Sequence, residues 1–178
     1  MSAANFDKCF ALTEQYEGWH KTSADPYDPG GLTYCGLTDR AYQAWRAKKG
    51  LKMQHVVSAT DDEIKQIFRE EYWVQARCDD CYDGLDALQF DIAINMGPVV
   101  ANKMLQRALG ITADGAFGLE TLGRLQRVTV PLAKKTLIQR IAAQRMSFWH
   151  SLKTWWRFGK GWSARGRDIT AKAIAMVK

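Results

Sequence analysis

Apolar residues return at spacings of three and four in one segment after another of this chain, and most runs are closed by glycine or proline. A sequence patterned this way can hide its apolar stripes only by packing helix against helix, so the fold it specifies is mostly α. The first run, Phe6, Cys9, Phe10, Leu12 and Tyr16, predicts a helix stopped by Gly18, with Glu17 in its last turn. A second passes through Ala41, Tyr42 and Trp45 after a cap at Thr38 and Asp39. A third passes through Ile64, Ile67, Phe68 and Tyr72 after a capping-box sequence from Thr60 to Glu63. Gly84 breaks the chain before an apolar pattern over 85–96, which Gly97 and Pro98 stop. Runs over 99–109, from Gly118 onward, and from Pro131 to about Trp149 bring the count to about seven helices. No repeat or low-complexity linker interrupts them, so a boundary at Gly84 divides the chain into lobes, 1–84 and 85–178, and not into independent beads.

Residues 20–38 alone resist this pattern. Two prolines and three glycines punctuate short apolar alternation, which predicts a loop with at most a small hairpin. Glu17 therefore stands between the negative end of a helix dipole and a polar loop that carries Asp25, Asp28, Thr33 and Thr38. A carboxyl group so placed and partly buried holds its proton towards neutral pH. Cleavage of a glycosidic bond needs such a donor for the leaving oxygen, and a second group that stabilises positive charge at the anomeric carbon or positions water. A glutamate at a helix end is more commonly just solvated, so residue types alone leave the assignment open.

The chain carries 25 Lys and Arg against 19 Asp and Glu, a formal charge of +6. That excess attracts polyanions but does not choose among nucleic acid, anionic lipid and wall polymers. The first residues lack the basic-then-apolar order of a secretory leader, and no later stretch is apolar for long enough to span a bilayer. The expectation is a chain made in the cytoplasm, without stable membrane insertion. Cys9 falls in the first helix and reads as a small buried hydrophobe. Cys78-Asp79-Asp80-Cys81 has no second pair and no neighbouring histidine, so it reads as two surface thiols and not as a zinc site, with a disulfide after export as the lesser alternative. His20, His55 and His150 are scattered, and neither a metal nor a cofactor is expected.

Phe6, Leu12, Glu17-Gly18, Asp28-Pro29-Gly30-Gly31, Thr33 and Gly36-Leu37-Thr38 together resemble the signature of the glycoside hydrolase 108 family, the N-acetylmuramidases found as phage endolysins and related secreted lysozymes. Tyr72-Trp73 is similar to that family's Tyr-Trp pair. The second half resembles the peptidoglycan-binding domain that accompanies it, on the residues from Phe90 to Pro98, from Leu105 to Gly110, Asp114-Gly115, Gly118, Thr121-Leu122 and Gly161-Trp162. Two departures stand out: the Glu-Gly-Gly of the signature reads Glu17-Gly18-Trp19, and Asp28 lies eleven residues after Glu17, with Asp25 at eight.

The resemblance implies a lysozyme-like fold with a loop or hairpin at the active site and two lobes flanking a substrate cleft. It implies hydrolysis of the β-1,4 bond between N-acetylmuramic acid and N-acetylglucosamine. Glu17 is then the general acid and Asp28, with Thr33, its partner; Asp25 is the second candidate for that role. Asp25, Tyr34, Thr38, Tyr72, Trp73, Asp91, Asn95 and Trp162 are the expected substrate contacts. Asp91 and Asn95 read equally as a polar tie between helices, and one of Tyr72 and Trp73 reads as core. Trp149 to Trp162 read mostly as lobe packing, with Trp156 or Trp162 exposed. The expected partner is bacterial peptidoglycan, reached by a monomer through a holin or secretion machinery in the periplasm or on the cell wall. A lytic transglycosylase using the same glutamate, and a non-catalytic wall-binding module, are the alternatives. A nucleic-acid binder ranks last because no base-reading motif is present.

Overall fold

The computed structural model describes residues 3–17, 21–23 and 32–178. Eight α-helices carry the described residues: α1 (Ala3–Glu17), α2 (Asp39–Lys48), α3 (Asp61–Ile67), α4 (Leu85–Met96), α5 (Pro98–Leu109), α6 (Leu119–Gln126), α7 (Pro131–His150) and α8 (Trp155–Met176). Three two-residue strands, β1 (Thr22–Ser23), β2 (Thr33–Tyr34) and β3 (Leu37–Thr38), form an antiparallel sheet in that order. The expected mostly α architecture is the one observed.

The chain forms two compact units, Phe10–Glu71 and Met1–Cys9 with Tyr72–Lys178. The division falls at Tyr72 and not at the expected Gly84. Aromatic packing explains the shift: Phe6 meets Trp73 and Phe90 edge to face at 5.5 and 5.7 Å, and Trp73 meets Phe90 at 5.3 Å. The start of α1 and the residues after 71 thereby share one core with α4.

In the unit Phe10–Glu71, Phe10 packs edge to face on Phe68 at 5.5 Å, and Leu37, Tyr42, Trp45, Val56, Ile64 and Ile67 are buried around it. The caps at the helix starts follow the sequence. Thr38 Oγ1 accepts from Ala41 N at 3.2 Å, and Thr60 and Glu63 satisfy each other's backbone N–H groups at the start of α3. Arg46 is buried among acceptors: it donates to Lys52 O at 2.6 Å and to the Tyr42 hydroxyl at 3.0 Å, and pairs with Glu63. Lys49 donates to Glu70, holding that carboxyl down at about 2, with Trp45 Nε1 donating to its other oxygen. A π-helical turn over Phe68–Trp73 was not foreseen in the sequence.

In the other unit, α4 is buried from Leu85 through Ala93 and packs against α5, α7 and α8. At its centre Asp91 accepts from Arg165 Nε and Nη2 at 3.0 and 2.8 Å, and Arg145 Nη1 stands 2.6 Å from its other oxygen. The polar side of α5 holds the loop that follows it. Gln106 Oε1 accepts from Gly115 N at 2.8 Å, and its Nε2 donates to Asp114 at 2.7 Å and to Thr121 at 3.2 Å. Gly115 adopts φ +87°, and a Cβ there would lie 2.7 Å from Val99 Cγ1.

Helix α8 was not read from the sequence, because Gly159, Gly161 and Gly166 interrupt its apolar pattern, each weakening a helix by roughly 1 kcal/mol relative to alanine. Two of these glycines make room for indoles. A Cβ at Gly159 would strike the Trp155 ring at 2.6 Å, and one at Gly166 would strike Trp149 at 2.9 Å. Cys78 and Cys81 flank a 3-10 turn and are both buried, which corrects the expectation of surface thiols. Neither forms a disulfide, nor does Cys9, and burial pushes all three thiols well up.

Asp86 is buried at the start of α4, where it accepts from Gly84 N and Ala87 N at 2.8 Å and from Asn5 Nδ2 at 2.9 Å. Burial pushes its carboxyl up to about 6 despite these donors. A folded-state value above the unfolded one means that the native state binds the proton more tightly. Stability then falls as pH rises between about 4 and about 6 and is level beyond, a step of about 3 kcal/mol. Asp86→Asn removes this step, so urea midpoints of wild type and variant measured at pH 4 and pH 7 should diverge in favour of the variant at the higher pH.

Candidate active site

Glu17 is the last residue of α1 and is half-buried. The turn between β2 and β3 lies against it. Gly36 there has φ +75°, and a Cβ built on it would fall 2.6 Å from Glu17 Oε2 and 2.9 Å from Glu17 Cβ. Only glycine allows the backbone this close to the carboxylate while holding that conformation. Cys35, the other turn residue, also has positive φ, at 51°. Positive φ at both central residues is what a two-residue type I′ hairpin loop requires, and its twist suits the flanking strands. The fully buried Cys35 side chain and the bond from Cys35 N to Lys21 O at 3.3 Å anchor the turn from below.

The register of this hairpin sets the neighbouring hydroxyls. Thr33 pairs with Thr38 across β2 and β3, Tyr34 with Leu37, and β1 adds Thr22 opposite Tyr34 and Ser23 opposite Thr33. Helix end and hairpin thus bring Glu17, Thr33, Tyr34 and Thr38 into one local structure. Desolvation, and then the adjacent Cys35, push the Tyr34 phenol up, so it is a neutral hydrogen-bonding group. Thr38 has a structural task besides the substrate contact expected of it, since its oxygen caps α2. Asp39 N donates to Leu32 O at 2.8 Å, and the Asp39 carboxylate accepts from Val56 N at 2.6 Å. The latter bond is the main reason its carboxyl is held below the usual range. Asp25 and Asp28, the two candidates for the second carboxylate, lie outside the described residues.

The other expected contacts belong to the second unit, and two of them change role. Trp73 is 1% exposed and packed against Phe6 and Phe90, so it is core and offers no face to a sugar. Asp91 is 0% exposed and neutralised by Arg145 and Arg165, so it ties α4 to α7 and α8. Asn95, one turn later, is exposed, and the pair therefore presents no common polar face. Tyr72 is half-buried. Trp162 is half-buried too, stacked on Trp149 at 5.9 Å and on Phe158 at 5.6 Å. The contact of Gly36 with Glu17 was missed by the sequence reading, although the Gly36-Leu37-Thr38 motif marked the place.

No curated protein matches the chain. Residues 10–97 match the family described as glycosyl hydrolase 108. The structure of SagA from Brucella abortus is 31% identical, with a TM-score of 0.85, over 99% of this chain and 98% of that one. The chain belongs to the glycosyl hydrolase 108 family.

As a glycosyl hydrolase 108 protein it is a glycosidase with a lysozyme-like, mostly α fold, and the family supports hydrolysis of peptidoglycan in general terms. The matched span runs across Gly84 to the end of α4, so it contains Glu17, the hairpin, Tyr72 and Asn95 but not Trp162. Among the described residues no group of His, Cys, Asp and Glu could hold a metal, and no helix is long and apolar enough to cross a membrane.

Two substitutions separate the roles assigned to this glycosyl hydrolase 108 chain. Gly36→Ala should retain the helical circular dichroism spectrum, lose about 1–3 kcal/mol of stability to backbone strain, and lose most peptidoglycan-digesting activity by displacing Glu17. Asp91→Ala should instead lower the urea midpoint by the equivalent of about 3–5 kcal/mol, because two guanidiniums lose their buried counter-charge. A stable Asp91→Ala protein with a raised KM would restore Asp91 to the substrate.

Proposed function

We propose that the chain hydrolyses the β-1,4 bond between N-acetylmuramic acid and N-acetylglucosamine, with Glu17 as general acid. The observation that carries this reading is the position of Glu17, half-buried at the C-terminal end of α1 with the Gly36 turn pressed against its carboxylate. Both the helix dipole and partial burial favour the protonated form, which the leaving oxygen needs. Glu17 gives its proton to the glycosidic oxygen as the bond to the anomeric carbon breaks. Asp28, aided by Thr33, stabilises the oxocarbenium-like charge or holds the attacking water, with Asp25 the second candidate. Water then supplies the hydroxyl that leaves N-acetylmuramic acid as a reducing end.

Tyr34, Thr38, Tyr72, Asn95 and Trp162 remain the candidate substrate contacts, and the second half of the chain, within the unit that contains Tyr72–Lys178, the part that grips peptidoglycan. The protein would act as a monomer in the periplasm or on the wall, delivered by a holin lesion or secretion machinery.

General acid catalysis is typically worth about 10² to 10⁴ in rate. Glu17→Gln should therefore abolish measurable release of muropeptides from purified peptidoglycan while the protein stays folded; undiminished digestion would overturn the assignment. Mass spectrometry of the wild-type products should show reducing ends, whereas anhydro-sugar ends would identify a lytic transglycosylase. Asp28→Asn should lose activity to a comparable degree and Asp25→Asn should retain most of it, and the opposite order would exchange their roles.

A further inference from the structure

Residues 121–167 contain eleven of the chain's 25 Lys and Arg and none of its 19 Asp and Glu. The positive charge of the molecule is thus gathered on α6, α7 and the first half of α8, and the remainder of the chain is net acidic. Arg145 and Arg165 are consumed by Asp91. The cations at the end of the α7–α8 hairpin have a different setting. Lys153, Arg157 and Lys160 are exposed there beside three exposed aromatic rings, Phe148 (42%), Trp156 (83%) and Phe158 (38%).

The exposure of Trp156 follows from how the hairpin end is packed. Trp155 lies over Gly159 and stacks on His150 at 3.9 Å, and Trp149 and Trp162 stack on each other at 5.9 Å. Of these rings Trp149 is buried and Trp155 and Trp162 are half-buried. Trp156, one residue round the helix, is left outside and shares a face with Lys160 one turn on. Arg157 lies over the Phe158 ring at 5.2 Å. A large exposed indole is costly in water, and nothing inside the fold calls for it.

We propose that this end of the α7–α8 hairpin docks on an anionic phospholipid surface, with Trp156 entering the headgroup region and Lys153 and Lys160 pairing with lipid phosphates. Charge complementarity and ring type both favour this partner. Tryptophan and phenylalanine settle at the boundary between acyl chain and headgroup, and flanking cations add attraction to anionic lipid. A single-stranded nucleic acid would use a basic groove floored with aromatic rings. Three cavities among the described residues of this unit, of about 480, 450 and 330 Å³, are lined without aromatic residues. The inference is independent of the glycosidase mechanism, because it involves none of the residues around Glu17.

The test is flotation of the full chain with vesicles of phosphatidylglycerol and phosphatidylcholine, against vesicles of phosphatidylcholine alone. Wild type should partition onto the anionic vesicles, with a blue-shifted tryptophan emission, and should come off at high salt. At roughly fivefold per cation, Lys153→Gln with Lys160→Gln should weaken partitioning by about twenty- to thirtyfold. Trp156→Ala should weaken it on the order of tenfold and remove the blue shift, with the helical circular dichroism spectrum unchanged. Equal partitioning onto neutral vesicles, no partitioning at all, or partitioning indifferent to Trp156→Ala would each overturn the proposal. So would a Trp156→Ala protein that still binds vesicles as wild type does but loses binding to purified sacculi, which would make the patch a wall-binding platform.

Discussion

The buried charge cluster around Asp91 is the constraint on which the larger unit depends. A helix as apolar all round as α4 gains burial free energy in almost any rotation about its axis, so hydrophobic packing alone sets its register weakly. One carboxylate at its centre changes that. Taking Asp91 out of water costs several kcal/mol unless it is met by cations in good geometry, and only one rotation of α4 brings it to Arg165 on α8 and Arg145 on α7. Two guanidiniums against one carboxylate leave a surplus positive charge. The face of Trp149, 4.2 Å from the Arg145 guanidinium carbon, takes up part of it. Gly166 then becomes necessary, since any side chain there would occupy the space of that indole.

The smaller unit solves a different problem, which is to hold one carboxyl group steady at a helix end, where backbone order is usually weakest. It fixes the hairpin beside Glu17 from several directions at once. The buried Cys35 and its bond to Lys21 O hold the turn. Leu32 O and the Thr38 cap join the strands to the start of α2, and Asp39 joins α2 to the turn at Val56–Ser58. With the hairpin held this way, the close approach of Gly36 to Glu17 limits where the carboxylate can go. A side chain whose rotamers are restricted in this way loses less freedom when it engages a partner.

The helices were legible wherever period and caps agreed, as at α3, where Thr60 and Glu63 announce the start, and at α4, where Gly97 marks the end. They were illegible where tertiary packing overrode local preference: α8 contains glycines that only the indoles of Trp149 and Trp155 explain. At the site, residue types marked Glu17 and the motif around Gly36, because a helix stop followed by a glycine-rich turn is a local pattern. Burial is not local. Trp73 and Asp91 carry side chains that could serve a sugar equally well, and only the neighbours brought by the fold, Phe6 and Phe90 for one and two arginines for the other, turn them inward. Cys78 and Cys81 were misplaced for the same reason, since a sequence rich in aspartate around them suggested a surface that the packing does not provide.

The second-half motif shows how much of a family likeness is architecture. Gln106, Asp114, Gly115 and Thr121 bond mainly to one another and to the loop between α5 and α6, and Gly115 is required because its α-carbon lies against Val99. A loop of that shape needs all of them, whatever the surface beyond it binds. The side chains that the fold leaves at the surface follow no such spacing: Asn95 on the last turn of α4, or the basic and aromatic end of the α7–α8 hairpin. The same chain therefore divides its chemistry unevenly. Around Glu17 the motif and the local geometry coincide, because the turn that lies against its carboxylate carries the Gly36-Leu37-Thr38 motif. In the larger unit the motif residues lie mostly inside, and the surface differs from them in charge and exposure.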